Sequence, residues 1–199
     1  TPIANGLLVK VVSPFGVKSI AAFGVATRIE SLSLLGIYAL SAALNPFVGQ
    51  NLGAKRFERI DQGIRYSYRF AFIWAILVST VLALLSHPIA KLFSNDPMII
   101  NEIQKYCWIV PITFGFLGIS EMTSSSLYGL GKAKRALLLA IIRLFIITIP
   151  IAYILAQYLD VTGVFAGKAT AHILIGAISL WIISQTFYSS YTKESKTPK

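Results

Sequence analysis

The chain has 199 residues, 55% of them hydrophobic and 13% charged, with a mean hydropathy of +0.69. A water-soluble domain is about one quarter charged, so this composition excludes that class and points to a polytopic membrane protein. The net charge of +10 sits in clusters between apolar runs, as in loops at a membrane face, so the expected partner is the lipid bilayer and not nucleic acid.

Thr1 to Val12 is apolar but too short to cross a membrane, which takes about 20 residues. It reads as the end of a helix whose start lies upstream, in a chain that opens without a methionine and so reads as a fragment. Ser13-Pro14-Phe15-Gly16 reads as a turn. Ile20 to Asn51 is the next expected span. At 1.5 Å per residue it reaches about 48 Å, more than the roughly 30 Å hydrocarbon core, so it must tilt or project. Asn45-Pro46 is expected to kink it near its inner end.

Gln50, Asn51 and Gly53 suit a helix C-terminus, because glycine and asparagine tolerate the left-handed conformation that caps the last carbonyls. Lys55, Arg56, Arg59, Arg65 and Arg69 follow at once and mark a cytoplasmic face. Phe57, Ile60 and Ile64 recur at helical spacing among charges, which predicts a short amphipathic helix on that surface over Lys55 to Arg65. Tyr66 to Leu85 is the third span.

His87 to Glu102 is a connection broken by Pro88 and Pro97, with Ser94-Asn95-Asp96 as a helix cap. Ile103 to Tyr128 is the fourth span, with Pro111, Gly115 and Gly118 inside it. Gly129 to Arg135 is a basic turn. Ala136 to Gln157 is the fifth span, Tyr158 to Thr162 a tight turn, and Gly163 to Phe187 the sixth. The expected fold is all-α: a membrane lobe over residues 1–191 with a truncated first helix, then a polar, disordered tail over 192–199. Basic residues divide eleven to four between the two sets of loops, which puts the C-terminus in the cytoplasm of a multi-pass cell-membrane protein.

Ionisable groups inside a bilayer are costly and usually face the bundle interior or water. The candidates are Arg28, Glu30, Glu121, Arg143 and Lys168. Glu30 lies near mid-depth and either binds a proton or Na⁺ or forms an ion pair with Arg143 at similar depth. Glu121 neighbours Thr123, Ser124, Ser125 and Ser126, which either line a cavity or pack helices through hydrogen bonds. Lys168 and His172 share a helix face, and a structural role against a carboxylate is favoured. Gly163, Gly167 and Ala171 form a small-residue stripe for close packing. Asn45, Pro46, Gln50 and Asn51 form either a hinge or a capped helix end. Cys107 is the only cysteine, and the sequence shows no metal-ligand cluster, phosphate loop or nucleophile elbow, so neither an enzyme nor a bound cofactor is expected.

The run Ile20 to Leu32, followed by Asn45-Pro46-Phe47-Val48-Gly49-Gln50-Asn51-Leu52-Gly53-Ala54-Lys55-Arg56, resembles the multidrug and toxic compound extrusion (MATE) transporters. Gly129-Leu130-Gly131-Lys132 and the helix holding Arg143 and Pro150 extend the resemblance from about Ile3 to Phe187. It implies the C-terminal lobe, helices seven to twelve, of a twelve-helix antiporter that exports organic cations or other amphipathic compounds in exchange for Na⁺ or H⁺. The N-terminal lobe is then a missing partner. Some members carry a coupling carboxylate on the tenth helix, where Glu121 sits. On this reading Glu30 and Glu121 bind substrate or coupling ion, Arg143 orients a carboxylate, Asn45 is a further substrate or coupling-ion candidate, and Gly49, Gln50, Asn51 and Gly53 are a structural motif. A flippase for lipid-linked glycan or polysaccharide is the alternative from the same superfamily, and a non-transporting scaffold is a third reading.

Overall fold

The structure is a computed structural model and describes residues 2–194, with side chains described over 6–186. Every regular element among these residues is helical. Helix α1 (Pro2–Val12) runs through a 3₁₀ turn at Ser13–Phe15 into α2 (Val17–Ser33), with Gly16 at a φ of 96° where the turn requires it. Then come α3 (Leu35–Gly53), α4 (Phe57–Leu84), α5 (Ser86–Phe93) and α6 (Pro97–Ile109). A second 3₁₀ turn at Pro111–Thr113 leads into α7 (Phe114–Gly129). Helix α8 (Ala133–Ile141) passes through a π-helical segment (Ile142–Thr148) into α9 (Ile149–Glu194).

Helix α7 is the centre of the lobe. It packs against α3, α4 and α9, and eleven of its sixteen residues are buried, so it has no side free for lipid. Three segments are long and apolar enough to cross a membrane: Phe57–Leu84, Pro97–Gly129 and Ala133–Thr186. The bent pair α2 and α3 makes a fourth. Ala133–Thr186 is 54 residues long, about 80 Å as helix and so two passes' worth, and it folds back at Leu159 and Asp160, whose backbone is not helical. The stripe at the fold-back works as expected. A Cβ on Gly167 would lie 2.5 Å from the Ala152 Cα, and one on Gly163 would run into the Leu155 carbonyl, so the two halves of α9 touch backbone to backbone.

The structure corrects four local expectations. The second span bends by 48° at Leu34 and continues as helix across Pro46. The bend is fixed from α4: the Trp74 indole Nε1 donates to the Ser33 carbonyl at 2.8 Å, and its ring lies where a Cβ on Gly36 would meet it at 2.7 Å. Carbonyls at a helix end lack intrahelical partners, so this donor stabilises the break. Replacing Trp74 by Phe removes the donor, and thermal unfolding of the purified protein is expected to show a loss of about 1–3 kcal/mol.

Second, Lys55 to Arg65 is not a separate surface helix. Helix α4 is continuous from Phe57, and Ile60 and Ile64 are buried against the lobe. The helical spacing therefore records core packing. Third, the left-handed residue after α3 is Lys55, at a φ of 56°, whereas Asn51 and Gly53 stay helical. Fourth, the connection after His87 is itself the helix α5, and α9 continues through Thr192 to Glu194; the remainder of the expected tail lies outside the described residues.

The cap at Asp96 is as expected. Its carboxylate accepts from the Met98 amide at 2.9 Å and pairs with Lys18 at 2.6 Å, tying the start of α6 to α2. The Lys18 hydrogen bond, then the amide, hold the Asp96 carboxyl below its ordinary value. A carboxyl with a depressed folded-state value contributes stability that is complete above its unfolded value, about 4, and is lost as pH falls through the folded value. Unfolding temperature is expected to drop with acid below about pH 4, and less steeply in Asp96→Asn.

Candidate functional site

Two ion pairs lie inside the lobe. The first joins three helices. Glu30, in the last turn of α2, accepts from the Lys168 ammonium of α9 at 2.5 Å and from the Tyr106 hydroxyl of α6 at 2.9 Å. Lys168 is only 6% exposed at its side chain and Glu30 16%, so each charge depends on the other. Aromatic rings enclose the pair: Phe165 meets Tyr106 edge-on at 5.3 Å, and the Lys168 ammonium lies 5.9 Å from the centre of the Phe23 ring.

One turn beyond Lys168, His172 Nδ1 lies 2.9 Å from Thr113 Oγ1. That hydroxyl also lies 2.7 Å from the Val110 carbonyl and has one proton to give. With that proton on the carbonyl, His172 carries its own at Nδ1 and donates, which assigns the tautomer from the network.

The second pair joins Glu121 of α7 to Arg143. Their side chains are 20% and 18% exposed, more open than the first pair. Arg143 sits in the π-helical segment, where the Thr148 hydroxyl donates to the Arg143 carbonyl at 2.7 Å. A widened turn of this kind is a recurrent feature of functional sites in helices. Tyr38, 40% exposed on α3, lies within electrostatic reach of Glu30, Glu121 and Arg143.

Glu30 and Arg143 do not pair; each takes another partner. Depth along a helix sets which residues share a level but not which way each one faces, and Lys168 faces Glu30. In the polar run after Glu121, Thr123 and Ser125 join helices and Ser126 bonds within its own. Ser125 donates to the Ser41 carbonyl, Thr123 and Tyr68 share a hydrogen bond of 2.7 Å, and Ser126 donates to the Met122 carbonyl of its own helix at 2.7 Å.

Arg28 is exposed and has no ion pair among the described residues. Asn45 and Gln50 are also exposed. The Asn45 carbonyl and Val48 lie where a Cβ on Gly129 would be, at 2.6 and 2.7 Å, so α3 and α7 cross closely there. Gly49 faces the Gly129 carbonyl across the same crossing, Gly53 has open space around it, and Asn51 is buried and donates to the Phe47 carbonyl at 2.8 Å. Tyr106, Thr113 and Tyr38 were not legible as site residues, because nothing in their local spacing marks contacts 76 and 59 residues away.

The MatE family model matches residues 3–154. The FAD transporter of Shewanella oneidensis is 31% identical over 185 residues, 92% of this chain and 40% of that protein. The probable multidrug resistance protein YoeA of Bacillus subtilis is 23% identical over 192 residues, 96% of this chain and 41% of that protein. The bent form of the Vibrio cholerae MATE transporter VcmN superposes with a TM-score of 0.90 at 27% identity, covering 94% of this chain and 43% of that one. The chain thus spans about 40% of the length of the curated relatives it matches. With a family match over most of its residues and a backbone that overlays less than half of a MATE transporter, the chain belongs to the MatE family and has the fold of one lobe of these multi-pass membrane proteins.

Proposed function

We propose that this chain is one lobe of a secondary active exporter that moves amphipathic organic solutes, organic cations among them, in exchange for Na⁺ or H⁺. The observation that supports it most is two carboxylates held inside an apolar bundle, each against a side-chain cation. Such groups are expensive in a membrane and usually mark ion or solute paths. Glu30 and Glu121 are the residues at which a coupling cation would bind. Lys168 and Arg143 are the internal cations it would displace, and their release would change the packing of α9 and of the π-helical segment against α2 and α7.

Tyr38, Ala42 and Asn45 form an exposed stripe along α3, whose Ser41 donates to the Glu121 carbonyl at 3.3 Å. It is the surface on which a solute would lie, facing a second lobe that completes the transporter. Alternating access then follows from rocking one lobe against the other around this surface. The basic ends of α4 and α8 would face the cytoplasm, with the C-terminus.

The reading is tested by reconstituting the complete transporter and measuring gradient-driven efflux of a fluorescent organic cation. Glu30→Gln and Glu121→Gln should each abolish the gradient-driven component. Efflux unchanged in both would remove these carboxylates from the mechanism.

A second substrate class is favoured by one relative, the protein named FAD transporter. Both carboxylates here are already neutralised, so the lobe does not itself demand a cationic solute. On this reading the solute is an anionic aromatic dinucleotide, and excess flavin dinucleotide would compete with the fluorescent probe. The glycan or polysaccharide flippase has less support, because two of its three expected diphosphate ligands, Arg143 and Lys168, are engaged by Glu121 and Glu30, which leaves Arg28 alone.

A further inference from the structure

Away from the ion pairs, a groove of about 420 Å³ runs between α3 and α4. Leu40, Leu44 and Phe47 line it from α3, at the three- and four-residue spacing of one helix face. Gly63, Tyr66 and Phe70 line it from α4 at the same spacing. The groove narrows where the Phe47 ring lies on Gly63, in the space a side chain there would fill. Its lining holds no carboxylate, so it offers nothing to an organic cation. The flank of α4 beyond it stays exposed and apolar through Ile73, Ile76 and Leu77, as a surface against hydrocarbon would.

One end of this groove is strongly basic. Residues 55–69 hold Lys55, Arg56, Arg59, Arg65 and Arg69 against two acids, Glu58 and Asp61. Asp61 is taken by Arg65 at 2.8 Å. Arg59 is exposed and falls on the groove face of α4, one turn before Gly63. Arg69 lies about 15 Å further along the helix, at the level of Phe70, with its guanidinium 5.7 Å from the centre of the Tyr66 ring. From Arg59 to Phe70 is about 16 Å along the helix.

We infer that this groove holds an acyl chain of an anionic phospholipid, with the lipid phosphate on Arg59 at its basic end. A ligand that fits must be apolar along the groove and negative at its basic end, which is the chemistry of such a lipid. Clustered arginines next to a membrane segment favour anionic headgroups over zwitterionic ones, and guanidinium groups hold phosphate through paired donors.

The test uses the complete transporter in bilayers of equal phosphatidylglycerol and phosphatidylcholine, with a photoreactive side chain introduced at Ala43, an exposed residue of the groove lining. Crosslinks are expected mainly to phosphatidylglycerol. Arg59→Gln should lower that adduct about fivefold, while Arg59→Lys should retain most of it. Ser67→Trp, which fills the groove, should remove lipid adducts altogether. Equal crosslinking to both lipids, no lipid adduct, or adducts only to polypeptide (the other lobe or a second copy) would overturn the inference. The lipid ratio on the unmutated arginine decides the matter even if Arg59→Gln fails to fold.

Discussion

Lys168→Ala is expected to destabilise the lobe by about 3–5 kcal/mol, because it leaves Glu30 charged and without its cation in an enclosed site. Glu30→Ala should cost a similar amount by stranding the Lys168 ammonium, which is 6% exposed. The double replacement Glu30→Gln with Lys168→Met should recover most of the loss, since an apolar or neutral pair of similar volume is often as stable as a buried ion pair. Thermal unfolding of the parent, Glu30→Gln, Lys168→Met and the double variant in one detergent forms the cycle. Additive losses would show that the pair is not energetically coupled. The Glu121–Arg143 pair should give smaller values, because both side chains reach solvent more and the screening is greater. The same double variant should fold and yet fail in gradient-driven efflux, which separates the structural cost of the pair from its proposed use.

The second large effect is expected at the fold-back of α9. Gly167→Val places two methyl groups where the Ala152 backbone lies 2.5 Å from the first carbon alone. Neither helix can yield without opening the contact between the two halves of α9, and backbone does not rotate away as a side chain would. Overpacking of a tight interior costs about 1–3 kcal/mol and more where backbone is struck, so Gly167→Val should fold poorly or not at all. Gly24→Val is the control, since a Cβ there meets nothing within 4 Å. Equal yields of folded protein from the two variants would contradict the close packing.

Local punctuation was legible in the sequence. The turn at Ser13–Phe15, the cap at Asp96, the fold-back at Leu159 and Asp160, and the end of α7 at Gly129 all lie where breakers and cap residues act on their own neighbours. The bend at Leu34 was not, because its cause is Trp74, 41 residues from Ser33. Pro46 was a stronger local signal and did not prevail. It keeps its place in α3 because proline costs one hydrogen bond, while packing of α3 on α7 over several turns holds the helix.

The candidate site shows the same division. That Glu30, Glu121, Arg143 and Lys168 needed partners followed from their types in apolar spans. Which partner each took depended on how α2, α6, α7 and α9 rotate about their axes, and that information is spread over the whole core. Lys168 was expected to meet a carboxylate, and the structure supplies Glu30, 138 residues away.

Efflux from vesicles holding the complete transporter, with a Na⁺ gradient and a pH gradient imposed separately, tests the antiport account most directly. Efflux of an amphipathic solute driven by one of the two gradients, and lost in Glu121→Gln, is the predicted result. Folded protein that moves the solute at the same rate with both gradients absent, or that moves none under either, would contradict it.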